Sequence, residues 1–188
     1  MNQHIATGLV FYQDYYDQPN FLSNCYFEIK RPIDCSITQL HHFYMLLRKG
    51  NKVSHIDLPL KIFSAEFLAF CYNGKRLVGI SAIKRPTLSY LEDVHRKAGI
   101  VTDIHQPFLE VGYSFTRESV RKKGISSTLK RMLLKKIITH TGFLFATTAT
   151  PSSQRFLIFN GFRPKGNPYQ GNFDNNIIYF EKGNNAII

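Results

Sequence analysis

The chain has 188 residues, 44% of them hydrophobic and 14% aromatic, which suffices for one proper core and argues against a disordered tail, so a single globular domain over residues 1–188 is expected. A formal net charge of +11 bears on solubility and partners, not on fold, and admits acidic partners, nucleic acid included. Cys25, Cys35 and Cys71 are odd in number and lack CxxC spacing, and no apolar run approaches the roughly 18 residues of a membrane span, so a disulfide framework, a structural zinc site and a membrane partner are not expected and the compartment reads as cytoplasmic.

The first stretch, residues 1–35, is rich in aromatics and forms an N-terminal extension or first strand; the alternation over residues 26–29 predicts a strand ended by Arg31-Pro32. A helix follows, capped by Asp34 or Ser36, with Ile37, Leu40, Phe43, Tyr44 and Leu47 at helical spacing up to Gly50. "EFLAFCYNGKRLVGISAI" predicts a hairpin, because Asn73-Gly74 between two β-rich runs accepts the positive φ of a tight turn. Residues 89–97 predict a short helix ending at Gly99, and "FLEVGYSF" another strand. A long helix then carries Ile125, Leu129, Met132, Leu133 and Ile137 as its buried stripe. "FLFATTAT" reads as a strand, residues 152–159 as a short helix stopped at Gly161, and "NIIYFEK" as the last strand, which together make a mixed α/β domain.

The stretch "VRKKGISSTLKRMLLKKI" joins a strand to the long helix through Arg121, Lys122, Lys123 and Gly124. The first turn of a helix has N–H groups without intrahelical partners, and with the helix dipole they form an anion site. Gly124 lets an anion approach the backbone where a Cβ would obstruct it. The spacing fits neither GxxxxGK[ST] nor GxGxxG, which excludes a Walker loop and a dinucleotide fingerprint. The same residues would also serve as a plain turn flanked by solvated lysines, and on their own they leave both readings open.

The order of elements around this loop adds a resemblance. "LEVGYSFTRESVRKKGISSTL" is similar to the signature of the GNAT superfamily, the acyl-CoA-dependent N-acyltransferases, in which a strand leads into an [QR]xxGx[GA] loop and a helix. Arg121, Gly124 and Ser126 fall on that pattern, with Ser126 in place of the final Gly or Ala. "FATTATPSSQRFLIFNGF" resembles the family's next strand and a short helix ending in Gly161-Phe162, so the likeness covers residues 67–182. More loosely, "IKRPTLSYLEDVHRKAGI" with "FATTAT" is similar to small phage and bacterial members.

The resemblance implies a GNAT-like α/β (α+β) fold: a mixed, mostly antiparallel sheet with a splayed central strand pair, flanked by helices. It implies acetyl-CoA as co-substrate, its pyrophosphate on the loop formed by Arg121, Lys122, Lys123, Gly124, Ile125 and Ser126. The pantetheine arm would run between residues 109–115 and 143–148, along Val111, Tyr113, Phe115 and Thr147. It makes Glu110 the catalytic base. An amine with a pKa of about 10.4 is protonated at pH 7, and presenting it neutral costs roughly 4.6 kcal/mol. The plainer role for Glu110 is a strand-end carboxylate paired with Arg117 or a neighbouring lysine. Many family members carry a Tyr that protonates the departing sulfur; here that position is Leu157, and the usual upstream Asn is Thr150.

Tyr90, Arg96 and His105 are candidates to line the acceptor pocket, although the first two could equally hold a short helix and His105 could be an exposed loop residue. His41 and His42 are adjacent on a helix and do not point the same way, so no metal site is expected. Lys130, Arg131, Lys135 and Lys136 read as a solvated helix face opposite the apolar stripe. The expected function is transfer of an acetyl (acyl) group to a primary amine of a small molecule or protein. The alternatives are a nucleic-acid-associated enzyme of the same fold, modifying a base, a tRNA-linked amine or a bound protein, which the further basic clusters favour, and a binding module without turnover, which Leu157 favours.

Overall fold

The computed structural model describes residues 21–101 and 104–184; residues 1–20 of the aromatic extension lie outside the described residues. Strand β1 (Cys25–Lys30) pairs antiparallel with β2 (Phe67–Asn73), which turns into β3 (Arg76–Lys84). Gly74 has φ +57°, as the Asn-Gly turn predicts. β3 pairs antiparallel with β4 (Phe108–Thr116), and β4 pairs in parallel with β5 (Gly142–Thr148). Two further antiparallel ladders join β5 to β7 (Ile177–Asn184) and β7 to β6 (Arg163–Tyr169). The result is a seven-stranded sheet of order β1-β2-β3-β4-β5-β7-β6, mixed and mostly antiparallel as expected.

Helix α1 (Ile37–Lys49) starts in a capping box: the Gln39 amide donates to Ser36 Oγ at 3.1 Å, and the Ser36 amide donates to Gln39 Oε1 at 3.0 Å. Ser36, not Asp34, is therefore the cap. Ser36→Ala is expected to cost about 1 kcal/mol of stability, read as a lower urea midpoint at unchanged slope; an unchanged midpoint would show that the box adds nothing.

Helices α4 (Ile125–Lys136) and α5 (Pro151–Phe159) cover one face of the sheet, and α1, α2 (Leu58–Phe63) and α3 (Leu88–Ala98) cover the other. Alternation in the strands supplies both cores: Ala69 and Cys71 lie beneath α4, while Leu68 and Phe70 face α1. Ile125, Leu129, Leu133 and Ile137 are buried as the stripe predicts, and Met132 is half-buried.

Several expectations need correction. Ile37 does not join the α1 stripe, which buries Phe43, Leu46 and Leu47; it is exposed and lines, with Leu60 and Phe63, an apolar groove of about 500 Å³ between α1 and α2. Lys130 is not on the solvated face. Its side chain is buried with the ammonium 4.5 Å from the centre of the Phe156 ring and 3.5 Å from Ser153 Oγ, and burial pulls its pKa down to about 8. Two elements are additional. β6 contains two prolines and a glycine, which an edge strand tolerates because one side of its backbone needs no ladder partner. α2 is a short helix with Pro at its N-terminal end.

Candidate active site

The central strands separate. The β4–β5 ladder ends at the Glu110–Phe145 pair, although β4 runs on to Thr116 and β5 to Thr148, so a wedge opens beyond Glu110. On its other edge β4 carries a bulge: its register with β3 shifts between Ile80 and Ala82, and Tyr113 takes φ +50°. A non-glycine residue held there costs of order 1–3 kcal/mol. Buried Ser81 supports the bulge, with its Oγ 2.7 Å from Ser114 Oγ and donating to the Gly112 carbonyl at 3.4 Å.

At the open end of the wedge β4 leads through a short turn (Glu118–Val120) into the glycine loop and α4. Lys122 and Gly124 both adopt left-handed backbone, with φ +64° and +81°. Ser36 caps α1 and the Thr87 hydroxyl caps α3, whereas the N-cap residue of α4 is Gly124, which has no side chain to bond the first-turn amides. Lys122 and Lys123 are exposed beside them, and Ser126 is half-buried. Ile125 is buried in the core, so only its backbone reaches this surface. Arg121 is anchored: Nε donates to the Thr116 carbonyl at 3.2 Å, Nη1 lies 3.3 Å from Glu118, and the guanidinium stands 5.8 Å from the Phe115 ring centre. The N-terminal turn Phe21–Asn24 packs on the loop, with Phe21 beneath the Lys123 ammonium at 4.6 Å.

At the apex of the wedge Glu110 is buried, and Lys84, its register partner on β3, donates to Oε2. The lysine crosses β4 over Gly112, where a Cβ would come within 2.8 Å of Lys84 Cδ. Its ammonium lies 4.7 Å from the Tyr113 ring centre and 5.3 Å from that of Tyr90, within cation–π range of both. The Thr147 side chain lies close enough to the Tyr90 and Tyr169 phenols to oppose the upward shift of each. The Glu110 charge and then burial push the Tyr90 phenol well above its ordinary range; for Tyr113 burial leads and Glu110 adds. Burial raises Tyr169 to about 12.

The structure thus brings Glu110, Tyr90, Tyr113 and Thr147 to one cluster, with Phe115 and the Arg121 loop further along β4. Val111 contributes its side chain to the core beneath α4 instead. Arg96 is not brought in; it is exposed and ion-paired with Asp93. His105 is exposed in the loop before β4, at the end where β4 and β5 are paired. Leu157 is buried in the core under α5. Arg117 does not pair with Glu110 but donates from Nε to the Leu77 carbonyl at 2.7 Å. Lys84, Ser81 and Tyr169 are members of the cluster that the sequence reading did not single out. For Lys84 the hairpin register was the available signal.

Among the described residues no helix is long and apolar enough to cross a membrane, and no His, Cys, Asp and Glu group could hold a metal ion. No family model matches the sequence, and no curated protein matches it. Solved structures do. The chain is similar to ElaA of Escherichia coli, at 14% identity over 84% of this chain and 99% of that one, with a TM-score of 0.63. It is similar to an acyl-CoA N-acyltransferase from Pseudomonas aeruginosa, at 11% identity over 85% and 99% of the two chains, TM-score 0.62. It is also similar to FeeM, an N-acyl amino acid synthase from uncultured soil microbes, at 14% identity over 86% and 92%, TM-score 0.64. At such identities the agreement is one of architecture, and by that agreement the chain has the fold of the GNAT superfamily of acyl-CoA-dependent N-acyltransferases.

Proposed function

We propose that this chain transfers an acetyl or related acyl group from acyl-CoA to a primary amine by direct attack on the thioester. The observation that carries the reading is the wedge between β4 and β5, which has a buried carboxylate at its apex and, at its mouth, a helix N-terminus that begins at Gly124. The backbone amides of residues 122–126 would hold the pyrophosphate, with Arg121, Lys122 and Lys123 supplying positive charge. Pantetheine amides would bond the strand edges that the splay leaves without ladder partners, the backbone of Val111 included, with Tyr113, Phe115 and Thr147 along the arm.

Glu110 would take the proton of the acceptor amine, a role worth about 10² to 10⁴ in rate. Tyr90 and Tyr169 would bound the acceptor side; Arg96 and His105 stand outside that cluster. An acyl-cysteine intermediate is disfavoured, because Cys25 on β1, Cys71 on β2 and Cys35 before α1 all lie off the β4–β5 wedge, and burial raises Cys35 to about 11 and Cys71 to about 12. The nucleic-acid reading rests on the net charge and the basic clusters, and the burial of Lys130 weakens the α4 face among them.

With Leu157 in the core, sulfur must leave as thiolate or take a proton from another tyrosine. A thiol pKa of about 8.5 makes the unaided departure feasible. Because the Tyr90 and Tyr113 phenols are pushed upward, neither ionises in the ordinary assay range, and the falling alkaline limb expected of an essential tyrosine loses its diagnostic value. The rate is expected to rise with pH as the amine deprotonates and then level. Tyr90→Phe and Tyr113→Phe are each expected to lower the plateau less than about threefold; a loss of about a hundredfold in either would assign the general acid.

The reading is tested by following CoA thiol release from acetyl-CoA over a panel of small amines, amino acids and peptides. Amine-dependent, saturable release is expected. Acetyl-CoA that binds without release for any amine would favour the binding-module alternative.

A further inference from the structure

One amine is already held against Glu110. Lys84 Nζ donates to Glu110 Oε2, 17% of its side chain is exposed, and its stem reaches this position by crossing β4 where Gly112 has no side chain. The rings of Tyr113, on the bulge, and Tyr90, on α3, flank the ammonium. All of this sits at the last paired residue of the β4–β5 ladder, where the wedge begins. We propose that Lys84 is a site of self-acylation, modified by the acyl group of a thioester bound in the same wedge; the inference rests on the acyl-CoA reading of that wedge.

The chemistry balances without a further reagent. The Lys84 ammonium gives a proton to Glu110, the nitrogen lone pair forms the bond to the acyl carbon, and the carbon–sulfur bond breaks with its electron pair leaving on sulfur. The departing thiolate takes the second proton from nitrogen, so ammonium and thioester become amide and CoA thiol, with one proton left on Glu110 that passes to solvent. Reaction between groups held in one site is favoured over bimolecular attack on surface lysines by effective molarities that reach about 10⁵ M and above when the orientation is right. The product is a stable amide, so it is a modification and not a turnover intermediate. It is neutral and no longer neutralises Glu110, which frees the carboxylate for an incoming ammonium. Acylation at Lys84 thereby converts a self-paired site into one that accepts a cationic amine.

The test uses full-length protein and isotopically labelled acetyl-CoA without an added amine, read by intact mass and peptide mapping, with acetyl-CoA affinity measured in parallel by calorimetry. One labelled acetyl group per chain is expected, on the peptide containing Lys84, at a rate independent of protein concentration. Lys84→Arg, which keeps the charge, is expected to lose the label while binding acetyl-CoA within about threefold of wild type, and Glu110→Gln to label about a hundredfold more slowly. Acetyl-CoA binding with Lys84 unmodified would overturn the self-acylation and leave the proposed function standing. Label spread over exposed Lys135 and Lys136, or concentrated on Lys130 as its lowered pKa would direct in a purely chemical reaction, would overturn it too, as would equal labelling of Glu110→Gln. Absence of acetyl-CoA binding would overturn both readings together.

Discussion

Glutamate at position 124 is expected to abolish acetyl-CoA binding in a protein that still folds. Among the described residues a Cβ at Gly124 would meet Leu22 Cδ1 at 3.4 Å, an ordinary contact that the fold accommodates. The left-handed φ of +81° adds a strain of about 1–3 kcal/mol, below the stability of most domains. The ligand has no such tolerance: the new carboxylate would lie where the pyrophosphate needs backbone amides, and each charge-assisted hydrogen bond lost is worth about 1.5–3 kcal/mol. Loss of two of them alone would weaken binding by about 10² to 10⁴, before like-charge repulsion is added. Calorimetry and circular dichroism on the same sample check both halves; a folded Gly124→Glu protein that binds acetyl-CoA as the wild type does would remove the loop from the site.

Glu110→Gln is expected to lower turnover at pH 7 by about 10² to 10⁴ while acetyl-CoA affinity stays within about twofold. Glutamine preserves shape and still offers Lys84 an acceptor oxygen, so the half-buried ammonium keeps a partner. Removal of the acceptor altogether, as in Glu110→Ala, would instead leave the half-buried ammonium without its carboxylate and confuse a loss of stability with a loss of catalysis. The defect of Glu110→Gln should shrink as pH rises, because the acceptor amine then arrives deprotonated and needs no base. A variant with full activity at pH 7 would reduce Glu110 to the ion-pair partner of Lys84.

Local signals carried much of the fold. Ser36, Asn73-Gly74 and Gly99 act within a few residues of themselves, and each stands where the structure turns or caps the chain. The glycine turn into the long helix was legible for the same reason, since Gly124 at a helix start is a local signal, although the residues alone left its use open. The wedge was not legible from the residues alone. Nothing in "FLFATTAT" says that β5 leaves β4 after Phe145; only the family resemblance implied it. The pairing of Lys84 with Glu110 joins residues 26 apart in sequence and depends on the register across β3 and β4. Tyr113 reads as an ordinary strand residue until the bulge turns it, and Tyr169 lies on an edge strand that its prolines disguise. Arg96 shows the converse failure. A charged residue on a helix near a site need not face it, and Asp93 holds this one outward.

A crystal structure of the chain with CoA bound tests the central claim most directly. The expected result is a pyrophosphate whose oxygens accept hydrogen bonds from the amides of residues 122–126, with the pantetheine arm lying between β4 and β5 beyond the Glu110–Phe145 pair. CoA seated on another surface, or a wedge left empty in a complex prepared at saturating CoA, would contradict it.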